Sequence, residues 1–157
     1  MADLEFNTIL MAFKNAIGTQ MIKQAPICRT MFATHAENDV LDAYVPTQYE
    51  RRGKSGGGIE DERSYEVTVD VPNLSMTIES TATGNPRYEK GTDGWDPGYI
   101  TDIIESGDGY NWKHSDIYKE KYPRPWMQEA GDDFVDNLLM PMIDLAMDNL
   151  LGGQTNA

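Results

Sequence analysis

The sequence predicts an α+β domain in which a small antiparallel sheet is covered by helices from both ends of the chain. Three observations carry that reading. Residues 64–82 alternate apolar and polar side chains on either side of Pro72-Asn73, the period of a half-buried hairpin. Residues 3–24 repeat apolar side chains at three- and four-residue spacing, and residues 125–151 do so in two adjacent rows, the signature of amphipathic helices. A hairpin with one apolar face does not stand alone in water, and the helices supply its cover.

The hairpin dictates its own register. Tyr65, Val67, Val69 and Val71 alternate with Glu66, Thr68 and Asp70, and the apolar set resumes at Leu74, Met76 and Ile78. A turn at Pro72-Asn73 sets Val71 opposite Leu74, Val69 opposite Met76 and Val67 opposite Ile78, all on one face; a three-residue loop would break that parity. Pro72 presets its backbone angle and Asn73 tolerates a left-handed one.

In the first helix the stripe is Leu4, Ile9, Leu10, Phe13, Ile17 and Met21. Gly18 weakens its interior, and Pro26 predicts a break or kink near residues 24–26. A second helical piece then runs over residues 27–44, with Cys28, Met31, Phe32, Leu41 and Tyr44 on one side and Pro46 closing it. Residues 46–63 read as a flexible glycine-rich loop. Arg51, Arg52 and Lys54 make its first half the most basic patch on the chain, and Glu60, Asp61 and Glu62 follow. Its Gly53-Lys54-Ser55 order is not that of a phosphate loop, which needs its glycines before the lysine and a helix directly after.

Residues 83–98 and 107–122 are long aromatic-bearing loops. Tyr88 and Trp95 lie in the first, and Tyr110, Trp112, Tyr118 and Tyr122 in the second. Between them residues 99–106 form a short helical or extended piece ended by Gly107-Asp108-Gly109. The final helix carries one row of Trp126, Ala130, Phe134, Leu138, Met142, Ala146 and Leu150 beside a second of Met127, Val135, Leu139, Ile143, Met147 and Leu151. Pro125 suits its first turn, Pro141 removes the bond to Asn137 and kinks it, and Gly152-Gly153 stops it. Residues 152–157 form a frayed tail.

At 157 residues and 17.6 kDa the chain is one domain, residues 1–157. A formal charge of −13 excludes a general nucleic-acid binder, whose affinity rests on Lys and Arg at phosphates. Cys28 is the single cysteine, so no internal disulfide forms, and a small buried residue is its expected role. The N-terminus has no basic region leading an apolar run, and no window reaches membrane-spanning length. A soluble protein made and used without export, with no membrane partner, is the expectation.

No active site assembles from the residues. Glu105 with Asp108, or Asp93, Asp96 and Asp102 as an oxygen-rich cation site, are better read as solvated turn acids. His35 and His114 lie far apart and near no nucleophile pattern. The methionines of the last helix, Met127, Met140, Met142 and Met147, read as adaptable core. No enzyme, cofactor or metal is expected.

Three short motifs point elsewhere. Tyr49-Glu50-Arg51-Arg52-Gly53 is followed by Gly56-Gly57 and then a hairpin; Ile104-Glu105-Ser106-Gly107 lies mid-chain; Tyr122-Pro123-Arg124-Pro125-Trp126-Met127 opens the last helix. In this order the set resembles the neck proteins of long-tailed phages of the siphophage type, the head-tail joining or tail-completion proteins, with Trp126 where phenylalanine is commoner. The resemblance implies a non-enzymatic virion component, made in the bacterial cytoplasm. It would form a sixfold or twelvefold ring of copies between connector or stopper proteins and the tail terminator or tail tube. Packaged DNA would pass an acidic lumen without specific binding. The expected interface residues are Tyr49, Arg51, Arg52, Lys54, Tyr88, Trp95, Glu105, Tyr122, Arg124 and Trp126, with the basic loop as an arm toward an acidic neighbour. Arg124 has two readings, a bond to the preceding loop within its own subunit or a reach to a neighbour. The alternatives are a small cation-dependent hydrolase built on Glu105 and the Asp cluster, and a transient assembly factor.

Overall fold

A computed structural model describes residues 2–42, 51–83, 100–108 and 122–152. Helix α1 spans Ala2–His35 and passes into a π-helical turn, Ala36–Leu41. A 3-10 turn, Glu62–Ser64, leads into strand β1, Tyr65–Asp70, and β1 pairs with β2, Ser75–Ser80. Then come α2, Ile100–Ser106, and α3, Trp126–Phe134. A second π-helical turn, Val135–Leu139, joins α3 to α4, Met140–Gly152. The architecture is α+β, with helices from both ends of the chain laid on a two-stranded antiparallel sheet.

The hairpin takes the register its alternation requires, Val67 opposite Ile78 and Val69 opposite Met76. Its connection differs in one respect. The left-handed residue is Leu74, with φ of 51°, and not Asn73. Asp70 pairs with Ser75, so the loop is the four residues Val71 to Leu74, closed by Leu74 N–H donating to Val71 C=O at 3.2 Å. A four-residue loop preserves the parity of a two-residue one, so the apolar face is unchanged. Asp70 fixes Asn73 through both its backbone N–H, 3.2 Å, and its side-chain amide, 2.7 Å.

The expected break near Pro26 does not occur, and α1 continues through it to His35. An interior proline costs a helix about 3 kcal/mol, but Cys28, Phe32 and Ala33 beyond it and Ile17 and Met21 before it are all buried. Packing on both sides of Pro26 offsets the local cost. At Pro141 the disturbance is absorbed differently. Immediately before it Met140 N–H bonds to Val135 C=O, a five-residue step that widens the helix where the proline cannot donate.

Among the described residues two apolar clusters form the core. The larger joins Cys28, Phe32, Ala36 and Val40 to Ile59, Tyr65, Ile104, Trp126, Ala130 and Phe134. Tyr65 lies at its centre, 6.0 Å from the Phe32 ring and 5.8 Å from that of Trp126 in an edge-on arrangement, and its hydroxyl donates to Ile59 C=O at 2.5 Å. Burial pushes the phenol pKa far above its usual range and that of the Cys28 thiol up to about 11, so both stay neutral. The smaller cluster brings Ile17 and Met21 of α1 against Met142 and Ala146 of α4, with Val69, Leu74 and Met76 of the hairpin alongside. The first row of the C-terminal helices is therefore the core row. The second is only half inside, and Val135 is exposed.

Candidate functional site

The second and third motifs meet in one joint. Gly107 ends α2 with φ of 71° and its N–H on Ile103 C=O at 3.0 Å, a left-handed stop. A Cβ at Gly107 would lie 2.8 Å from Pro123 N and Tyr122 C, so only glycine admits the chain there. Arg124 N–H donates to Ile104 C=O at 3.0 Å. Glu105 then reaches across to accept from Met127 N–H, 2.5 Å, at the first turn of α3, where a carboxylate meets both an unsatisfied donor and the positive end of the helix. Burial raises the Glu105 pKa, the Met127 N–H opposes that, and Glu129 and Asp102 add to the rise.

Arg124 settles at the bottom of this joint. It is 4% exposed, and its side-chain nitrogens have no hydrogen-bond partner among the described residues. The guanidinium lies 4.0 Å from the centre of the Tyr122 ring, a cation–π contact. Tyr122 is 45% exposed.

The first motif is tied to the same end of the sheet. Arg51 donates to Leu41 C=O and Arg52 to Thr83 C=O. Lys54 is exposed and pairs with Glu37 at 2.6 Å. The residue that organises this segment is one the sequence reading passed over. Asp61 is 1% exposed, and its carboxylate accepts from Gly57 N–H at 2.8 Å, Arg63 N–H at 3.0 Å, and the Arg63 guanidinium at 3.0 and 2.8 Å. Led by the Arg63 hydrogen bonds, these hold its pKa far below the usual carboxylate range despite burial. Arg63 also donates to Ser55 C=O, so one carboxylate and one guanidinium fold residues 55–63 into a compact knot ahead of β1.

His35 clamps the first π-helical turn to α3 through Asp39, 2.7 Å, and Asp133, 3.4 Å. Burial alone would lower the imidazole pKa, but the two carboxylates more than offset it and raise it, so the fold favours the charged ring.

Among the expected interface residues, Tyr49, Tyr88 and Trp95 lie outside the described residues, as do Asp93, Asp96 and His114. Trp126 is corrected: it is wholly buried against Tyr65 and belongs to the chain's own core. Its place at the head of the row Trp126, Ala130, Phe134 carried that signal. Of the two readings of Arg124, the loop before it lies mostly outside the described residues, and the contact that is seen is with Tyr122 at that loop's end, within its own subunit. Glu105 is committed to the α3 N-terminus, which defines its role as a positioning one. Glu105→Ala should therefore destabilise the fold by about 1 kcal/mol, the typical effect of a lost helix cap. Glu105→Gln, which keeps an acceptor and drops a half-buried charge, should stay within about 0.5 kcal/mol of the parent. Urea unfolding of the two variants checks both.

Among the described residues no group of three or more His, Cys, Asp or Glu side chains is placed to hold a metal ion, and no helix is long and apolar enough to cross a membrane. What the fold and the motif joint define is a small α+β scaffold whose motif residues join its elements together. The chain belongs to the YomN family, whose model matches residues 5–148, a family of Bacillus phage-derived (SPbeta) proteins. No curated protein and no solved structure matches it.

Proposed function

We propose that this phage-derived protein is a structural component of the virion neck, a head-tail joining or tail-completion protein that works as a ring of copies. The observation that supports the reading is the joint itself. Motifs shared with neck proteins interlock through Ile104 with Arg124 and Glu105 with Met127, linking backbone to helix end without setting a nucleophile, base or ligand set into a cleft. A part that transmits load between neighbours needs fixed internal geometry more than chemistry. In this reading Lys54, exposed although paired with Glu37, and the outer face of Tyr122, whose other face meets Arg124, are proposed contacts to neighbours, with Tyr49, Tyr88 and Trp95 as further ones. The partners are connector or stopper proteins on one side and the tail terminator or tube on the other.

Quantitative mass spectrometry of purified virions, with the portal as internal standard, tests the reading. The expected result is a small symmetric copy number, sixfold or twelvefold. Hundreds of copies would move the chain to the tail tube or capsid surface, and absence from the particle would leave a transient assembly factor.

A further inference from the structure

His35 is the last residue of α1, where the helix passes into the first π-helical turn. Both nitrogens of its ring face carboxylates. Nδ1 lies 2.7 Å from Asp39 Oδ2 on the turn, and Nε2 lies 3.4 Å from Asp133 Oδ2 on α3. A neutral imidazole carries one N–H and a lone pair on its other nitrogen, so it donates to one of these oxygens and sets a lone pair against the other. Only the imidazolium completes the arrangement. The shorter contact, to Asp39, lies within one helical run, so the contact that fails in the neutral ring is the longer one to Asp133. That carboxylate is held in place by the Asn137 side-chain amide, which donates to its other oxygen.

The turn that this bridge ties to α3 also carries the basic segment. Arg51 donates to Leu41 C=O, and Lys54 pairs with Glu37 at 2.6 Å; both acceptors belong to the turn. The charged groups on the elements packed around the ring are Arg29 on α1, Glu37 and Asp39 on the turn with Asp42 at its end, Glu129, Asp132 and Asp133 on α3, and Asp136 just beyond it. Among the described residues Asp39 and Asp133 are the two that bond the ring. Burial works against the charged ring, and the hydrogen bonds and charges of these two carboxylates outweigh it, so its pKa stands above the ordinary 6.5.

We propose that His35, Asp39 and Asp133 form a proton-operated latch, closed by the imidazolium between the first π-helical turn and α3 and opened by loss of its proton, which loosens the turn and the basic segment bonded to it. The proton passes between the ring and solvent, to which the side chain is 22% open. Because the folded-state pKa is raised, the latch contributes fully below the ordinary value of 6.5 and is lost as pH rises through the folded-state pKa. Ala36 and Val40 of the turn stay buried in the larger cluster in either state, so what opens is the seam along α3 and not the fold. The latch is a property of the single chain, and its test is independent of the neck reading.

Amide hydrogen exchange of the full chain between about pH 5.5 and pH 9, the range in which histidine changes charge, tests the latch once rates are corrected for the intrinsic effect of pH. Protection of residues 36–41 and 51–54 should fall about threefold across that range, the size expected for loss of one partly exposed charged pair. Nitrogen-15 shifts of the ring should show both nitrogens protonated at the acid end and Nε2 bare at the other. Asp133→Asn is the discriminating variant, at a side chain 43% exposed, where an isosteric change leaves the fold intact. Its NH2 group donates to the Nε2 lone pair of the neutral ring while its carbonyl keeps the bond to Asn137, so the seam holds at high pH and the fall in protection should vanish. Glu105, whose pKa is also raised, is common to both proteins and cancels in the comparison. Protection of residues 36–41 that does not change with pH in the parent would overturn the inference. So would an equal fall in Asp133→Asn, or a His35 ring that titrates at or below 6.5.

Discussion

Replacing Asp61 with asparagine should destabilise the protein by about 3 kcal/mol and remove much of its sensitivity to acid. The carboxylate is buried and accepts four hydrogen bonds, two of them from backbone N–H groups of Gly57 and Arg63. An asparagine keeps one acceptor oxygen but turns an NH2 group toward donors, leaving buried N–H groups unsatisfied at about 1–3 kcal/mol each. The knot at residues 55–63 then loses its centre, and with it the approach of Ile59 to the Tyr65 hydroxyl. The same geometry fixes the pH dependence. The folded-state pKa of Asp61 is depressed below its ordinary value of 3.8. Its contribution is therefore complete above that value and is lost as pH falls toward the folded-state pKa. Urea midpoints measured from pH 6 down to pH 2 should fall for the parent protein and fall less steeply for Asp61→Asn. Parallel curves would show that other carboxylates carry the acid response.

The parts of this fold that could be read in advance are those governed by short-range periodicity. A period of two with matched parity admits few registers, so Val67 opposite Ile78 follows from the residues themselves. What the sequence conceals is any rule whose deciding partner lies far along the chain. Pro26 reads as a break or kink by its local chemistry, and only the burial of Cys28 and Phe32 on elements yet to come carries the helix through unbroken. Asp61 looks like one acid in a run of three, because nothing local says that Gly57 and Arg63 will close around it. The Ile104-Glu105-Ser106-Gly107 and Tyr122-to-Met127 segments can be recognised by resemblance, yet their mutual contact has no sequence signal. Trp126 is the opposite case: its row position announced a core residue, and the resemblance drew it onto the interface.

Gly18 should be among the least replaceable residues of the chain, although helix propensity alone says the reverse. Alanine in place of a helical glycine ordinarily gains about 1 kcal/mol. Here a Cβ at position 18 would lie 2.3 Å from Val71 Cγ1 and 3.0 Å from Val71 Cβ, so the hairpin loop presses directly on the helix backbone. Lys14 holds it there, its ammonium donating to Pro72 C=O at 2.8 Å. Overfilling such a contact costs about 1–3 kcal/mol and outweighs the propensity gain. Gly18→Ala is therefore expected to lower stability by about 1 kcal/mol. Gly18→Leu, which also forces Val69, Leu74 and Met76 away from Ile17 and Met21, should lower it by about 3 kcal/mol. Val71→Ala clears the two closest atoms, so the double variant Gly18→Ala with Val71→Ala should recover more than half of the loss that Gly18→Ala causes. A double-mutant cycle in urea measures this as a coupling of about 1 kcal/mol. Additive effects, or a Gly18→Ala variant stabilised by its full helix propensity, would show that the loop does not rest on α1 at this point.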